Sequence, residues 1–287
     1  MDLSLLRQPS LRGARPAASA HARAQWKDCG LIVASTPLLA LLLLPIVALV
    51  LKTPPTMLLR YLGNSSTLQA ISLSLVTSTA TAVMVIGLGL PLAFLLARRR
   101  FRGQRLVEVL IDLPTVLPPA VAGLALLMAF GRRGLLGSWL QTLGIEIAFT
   151  PLAVIMAQMF VAAPYYIKTA SVGLAGVSAD LERAAALDGA GTLQVLRYIT
   201  LPLAWRGIVG GIVLCWARAL GEFGATIIFA GNYPGRTQTM PLAVYLGFEI
   251  DLNLALTLGV ILLVISFSLL LAVRAILRGE PDTPCEA

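Results

Sequence analysis

The sequence predicts an all-α membrane protein with six transmembrane helices and one long polar loop between the fourth and the fifth. Three observations predict it. Hydrophobic residues fill 57% of the 287 positions and charged residues only 13%, against about 25% charged in a soluble domain. With a mean hydropathy of +0.85, such a chain cannot cover its own surface in water, so the bilayer must be the solvent for much of it. Six runs also reach the ~20 mostly apolar residues that a helix needs to cross the hydrocarbon: 31–51, 68–97, 106–130, 148–170, 207–230 and 252–276. Finally, the basic residues collect on alternate sides of those runs, as topology signals do.

Residues 1–30 form a polar, basic tail. The first run after it exceeds the usual ~7–15-residue core of a signal peptide, and no small-residue cleavage site follows. It reads as a retained start-transfer helix opening a transmembrane domain over 31–276. The second run is followed by Arg98, Arg99, Arg100, Arg102 and Arg105, most simply a topology anchor near anionic headgroups and, secondarily, a contact for a cytoplasmic partner. The third run is interrupted by Pro114, Pro118 and Pro119. Proline removes backbone donors and bends helices, which fits either a plain kink or a gate lining a cavity.

Between the fourth and fifth runs, residues 171–206 read as two short helices. One begins after Ser178, an N-cap residue, with Asp180 favourable in its first turn. It stops near Gly189-Ala190-Gly191. The second starts near Thr192 and ends before Leu201-Pro202, since proline disfavours helix in the residue before it. A helical pair in such a loop is a surface for a partner to grip.

The fifth run carries Arg218 and Glu222. Each charge costs about 2.5–3.5 kcal/mol at a helix centre, so the pair must face protein or water. At i and i+4 they reach each other; they either hold the bundle together or stand beside a translocation path. Ala217, Gly221 and Ala225 make a small-residue row on the same run, which favours close helix packing. After the sixth run, 277–287 is a second polar tail. With the N-terminus inside, sixteen of the 22 Lys and Arg residues fall on the inner side, five fall outside, and Arg218 lies within a span. Both termini are therefore expected in the cytoplasm. Arg132 and Arg133 run against that trend in an outer loop. They are either solvated charges or a means of concentrating an anion or an acidic partner at the mouth. The polar segment 231–239, with Asn232 and Gln238, reads as another outer loop.

These features exclude several functions. The net charge of +8 sits between apolar runs and not on a patch for nucleic acid. His21 stands alone, and Cys29, Cys215 and Cys285 are scattered, so neither a metal site nor a disulfide framework is expected. No G-x-x-x-x-G-K-[ST] loop is present to cradle a nucleotide. The spans show no cluster of catalytic groups, as a membrane enzyme would need. They also lack the internal repeat and paired broken helices of many ion-coupled secondary transporters.

The loop carries a resemblance. Arg183-Ala184-Ala185, three residues, Gly189, nine residues, then Ile199-Thr200-Leu201-Pro202 is similar to the E-A-A…G…I-x-L-P loop of binding-protein-dependent ABC importer permeases. The glutamate position holds Arg183, with Glu182 just before it. The runs Leu113–Pro119, Phe130–Gly134, Ala217–Thr226, Phe229–Asn232, Pro234–Thr239 and Pro241–Tyr245 resemble the molybdate branch over roughly residues 60–275. The A-R-A-x-G-E-F-G core is shared with sulfate and thiosulfate permeases.

The resemblance implies a type I importer permease of the cell inner membrane, with the 171–206 loop as its coupling-helix loop. That loop would dock on a cytoplasmic ABC ATPase dimer through Glu182, Arg183, Ala184, Ala185, Gly189, Ile199, Leu201 and Pro202. ATP and Mg²⁺ would be bound by that partner, with no cofactor on this chain. Further implied partners are a second copy of the chain and an extracytoplasmic molybdate-binding protein. Pro114, Pro118, Pro119, Arg218 and Glu222 are candidates for the path or gate, and Arg132, Arg133 and Asn232 for the outer mouth.

Overall fold

The computed structural model describes residues 18–277; the tail readings for 1–17 and 278–287 lie outside them. Every regular element among the described residues is helical. The chain divides into two units, residues 1–52 and 53–287. The first contains α1, Ala18–Lys52, whose stretch Ala34–Lys52 is long and apolar enough to cross a membrane. The helix thus begins inside the segment expected to be a tail.

The second unit opens with the short α2, Pro55–Leu62, and α3, Ser65–Arg98. Asn64 caps α3 through its side chain, which accepts from the Ser66 N–H at 3.1 Å. At 34 residues, α3 is about 50 Å long, well over the ~30 Å hydrocarbon thickness, so one end or both must project beyond it. Next come α4, Gln104–Val116, and α5, Pro119–Phe130. They do not form the single span expected over 106–130, because the chain turns by 115° between them. Leu117 is extended, and Pro118 and Pro119 cannot donate the hydrogen bonds that would carry the helix across. Counting that pair as one, six helical spans are present among the described residues, and five otherwise.

After α6, Gly137–Thr142, comes α7, Pro151–Ala175, whose N-cap Thr150 accepts from the Ala153 N–H. The loop then forms α8, Ala179–Leu187, and α9, Thr192–Val195. A π-type turn, Leu196–Thr200, leads straight into α10, Leu201–Leu220. This corrects the expectation that the second loop helix stops before Leu201-Pro202. Leu201 bonds back to the Leu196 carbonyl, and the widened turn leaves room for the Pro202 ring within a continuous helix.

A second correction follows at Gly221, where α10 ends; the expected span 207–230 breaks, and α11, Gly224–Phe229, sets off anew. Ala217, Gly221 and Ala225 therefore do not share one helix face. The chain closes with α12, Met240–Ile250, and α13, Leu252–Leu277.

Small residues set how closely the helices approach. A Cβ on Gly207 of α10 would lie 2.6 Å from the Gly173 Cα of α7, and one on Gly173 would lie 2.8 Å from the Gly207 Cα. Where the two helices cross, their backbones all but touch, which is how transmembrane helices gain contact without a hydrophobic driving force. Around the crossing, Ala93 of α3, Ala162, Tyr166, Ala170 and Leu174 of α7, and Ala204, Cys215 and Ala219 of α10 pack into one core. Polar side chains fasten α3 to α7. Thr81 Oγ1 donates to Gln158 Oε1 at 3.0 Å, and Gln158 Nε2 donates to Thr77 Oγ1 at 3.3 Å.

Candidate functional site: the loop and the helix breaks

The loop helix α8 forms as its sequence demands. Ser178 Oγ accepts from the Asp180 N–H at 3.2 Å, and Asp180 and Glu182 lie in the first turn, where the helix dipole favours them. At the other end Gly189 has φ of +89°, a conformation that side-chain-bearing residues rarely adopt. The Gly189 N–H bonds to the Ala186 carbonyl and the Ala190 N–H to the Ala185 carbonyl, at 3.1 and 3.0 Å. This is the six-to-one and five-to-two pattern of a Schellman stop. Gly191 N–H then donates to Gln194 Oε1 at 2.8 Å, opening α9.

Little covers this helical pair. No residue of α8 or α9 is buried, and Leu181, Leu187, Leu193 and Tyr198 are exposed, Leu187 to 88%. Large apolar side chains left exposed on a polar loop are what an interaction surface would present. Ala185, Ile199 and Leu201 are half-buried, while Ala184, Gly189 and Pro202 are exposed. Arg183 reaches only Asp180, at 3.0 Å, and both side chains are largely in solvent. Glu182 turns the other way. Its Oε1 lies 2.8 Å from Arg98 Nη2 and accepts from Thr200 Oγ1 at 2.6 Å. In the sequence Arg98 stood only as part of the basic run after the second span and Thr200 only as a motif position, and no local spacing points to either as a partner of Glu182.

Two of the predicted groups, the prolines and the charge pair, come together. Arg218 Nη1 lies 2.7 Å from Glu222 Oε2, with Glu222 1% exposed and Arg218 28%. The other carboxylate oxygen accepts from the Ala225 N–H at 2.9 Å, so Glu222 also caps the start of α11. That short helix lies on α5. A Cβ on Gly224 would stand 2.6 Å from Pro119 Cβ, and one on Gly123 would stand 2.6 Å from the Ala225 carbonyl oxygen. The break at the prolines and the break at Gly221 thus pack against each other. Pro114 lies within α4 and is half-buried, while Pro118 is exposed at the bend. Nearby, Lys168 of α7 pairs with Asp112 of α4 at 2.6 Å.

Of the remaining candidates, Arg132 and Asn232 have partners of their own. Arg132 pairs with Glu146 at 3.0 Å in an exposed position, and Arg133 is exposed. Asn232 Nδ2 donates to the Leu242 carbonyl at 3.4 Å, while its Oδ1 is buried without a hydrogen-bond partner. The segment 231–239 is a loop solvated only in part, with Tyr233, Pro234, Gly235 and Arg236 exposed. Thr237, Gln238 and Thr239 are buried, and the Met240 N–H donates to Ser74 Oγ at 2.6 Å.

Comparison with known proteins decides the family. Residues 89–278 match the family described as "Binding-protein-dependent transport system inner membrane component". The chain belongs to this family. It is 35% identical over 241 residues to the "Probable transport system permease protein NifC" of Clostridium pasteurianum, covering 84% of each chain. It is 41% identical over 232 residues to the "Molybdenum transport system permease protein ModB" of Mycobacterium tuberculosis, covering 81% of this chain and 88% of that one. The fold matches a chain of a bacterial ABC transporter involved in the import of the acidic polysaccharide alginate. There the TM-score is 0.72 at 14% identity, covering 91% of this chain and 98% of that one. Members of the family are inner-membrane components of binding-protein-dependent transport systems.

Proposed function

We propose that this chain is the permease subunit of an ATP-driven importer of molybdate. Two copies would form the pore, a cytoplasmic pair of ABC ATPase subunits would supply the energy, and an extracytoplasmic binding protein would deliver the anion. Both termini, α8 and α9 would face the cytoplasm. The observation that carries the reading is the Arg183–Pro202 loop. Its motif spacing is intact, and it folds into a helical pair whose Leu181, Leu187, Leu193 and Tyr198 are exposed among the described residues. The relatives named as molybdenum permeases support the choice of anion.

In the proposed cycle, docking of the loaded binding protein and closure of the ATPases move the loops. The paired breaks around Pro119 and Glu222 then rearrange, the pore opens outward, and hydrolysis resets it inward. The test is ATP-dependent uptake of labelled molybdate into proteoliposomes holding this chain, its ATPase and its binding protein. Uptake blocked by tungstate and not by sulfate is expected. Blocking by sulfate moves the substrate to the sulfate branch. No ATP-dependent uptake from an assembled complex overturns the reading.

A further inference from the structure

The Arg98–Glu182–Thr200 contact includes Glu182, one of the residues expected to dock on an ATPase, and Thr200 of the loop motif, yet it turns inward and is built as a junction. Arg98 is the last residue of α3. Its two terminal nitrogens both donate to the Val177 carbonyl at 3.1 Å, just past the end of α7, and one of them also meets Glu182 at 2.8 Å. Its side chain is only 14% exposed. Thr200, 1% exposed, sits in the π-type turn at the head of α10 and donates to the same Glu182 oxygen. One carboxylate oxygen therefore joins α8 to the ends of α3 and α10, and through the guanidinium to the end of α7.

The other polar side-chain bonds of α8 are local: Ser178 caps its first turn, and Asp180 pairs with Arg183 three residues on. Among the described residues, Glu182 is thus the ionic and hydrogen-bonded tie between α8 and the spans. A force applied to the open face of α8 reaches the spans through the chain itself, through looser apolar contact and through this carboxylate, and the carboxylate is the route that reaches α3. The π-type turn beside it is a natural place for yielding, since its hydrogen bonding is already irregular.

We propose that Arg98 and Thr200 are positioning residues of the transport cycle. They hold the Glu182 carboxylate inward, so that displacement of α8 is transmitted to α3 and α10 together. In this chain Glu182 acts within the subunit and not on the ATPase, and the exposed Arg183 occupies the outward position beside it. The inference rests on α8 being the contact with the ATPase. Assembly and ATP hydrolysis by the wild-type complex test that reading; the ratio of uptake to hydrolysis in variants tests this one.

The experiment measures both rates in the same proteoliposomes, using the full transporter and labelled molybdate. Arg98→Gln and Glu182→Gln are expected to keep hydrolysis within about twofold and to lower uptake per ATP by about tenfold or more, the scale of a lost charge-assisted bond. Thr200→Val, which removes one neutral donor, should lower it by about threefold. The double variant Arg98→Gln/Glu182→Gln should be no worse than either single one, because the two act through each other. Arg98→Lys should fall between, since an ammonium cannot hold the carboxylate and the Val177 carbonyl in one planar fork. Unchanged uptake per ATP in the assembled variants overturns the proposal. So does a loss of hydrolysis in Glu182→Gln that Arg98→Gln does not share, which would place the partner of Glu182 on the ATPase. If the glutamine variants fail to assemble, wild-type ratios in both Thr200→Val and Arg98→Lys overturn it as well.

Discussion

Glu222 and Glu182 stand in the same chemical arrangement in two different regions. Each accepts from an arginine and from one further donor: Arg218 and the Ala225 N–H for Glu222, Arg98 and the Thr200 hydroxyl for Glu182. Glu222 is 1% exposed among spans and its partners lie four residues before and three after it, so it staples one broken helix. Glu182 is 22% exposed at the loop end, and its partners come from two other elements, so it joins separate parts. A carboxylate with local partners fixes a shape. One with distant partners can transmit movement between elements, at the cost of binding more weakly where water reaches it.

The largest expected effect would break that comparison at its buried end. Glu222→Ala leaves Arg218 and the Ala225 N–H without their acceptor. The expected loss is about 3–5 kcal/mol, as for other buried pairs robbed of one partner, read as a fall in folded yield and in the Tm of the detergent-solubilised subunit. Arg218→Gln should cost visibly less, because the glutamine amide can still donate to the Glu222 carboxylate and the cap on α11 survives. Equal losses would show that the ion pair matters and the cap does not.

At the loop end, Gly189→Ala forces a side chain into a left-handed position. About 1–2 kcal/mol of local strain is expected, seen as faster amide exchange in α8 with the Tm of the spans unchanged. An unaltered exchange rate would contradict the Schellman stop as the device that ends this helix.

Smaller still, Glu182→Gln should change stability by about 1 kcal/mol or less, although uptake per ATP changes strongly. A fall in Tm as large as that of Glu222→Ala would erase the distinction between staple and junction.

A third carboxylate, half-buried, extends the series. Asp251, at the junction of α12 and α13, accepts from the Tyr61 hydroxyl at 2.5 Å, and that bond chiefly holds its pKa below the ordinary aspartate value. Its contribution is therefore complete above the unfolded value of about 3.9 and lost as pH falls through the lower folded one. Tyr61→Phe should flatten the acid limb of the Tm–pH curve there and leave neutral pH nearly untouched. An identical acid limb would show that the bond contributes nothing to folding.

The legible part of the site is the local part. Ser178 as a cap, Gly189 as a stop and the reach from Arg218 to Glu222 depend on residues within a turn or so of one another, and fixed helix geometry makes such contacts readable. The positions of Arg98 and Thr200 beside Glu182, of Gln158 between Thr77 and Thr81, and of Lys168 on Asp112 could not be read. Each joins elements whose relative placement no local spacing encodes. The continuation of helix through Pro202 and its break at Gly221 reversed local expectation for the same reason. A π-type turn absorbed the proline, and a packed partner helix with a glutamate cap made the break favourable.

By itself the sequence determined that the bilayer is the solvent, where the apolar runs lie, and that a motif-bearing helical pair interrupts them. Composition and periodicity fix these, because burying apolar surface and satisfying every backbone group in lipid admit few solutions. Only the tertiary structure decided which charges on separate elements meet, which polar residues of 231–239 turn inward, and that the proline bend packs on the Glu222 break. Those outcomes depend on how closely glycine and alanine let helices approach, a property of pairs of surfaces that no single segment contains.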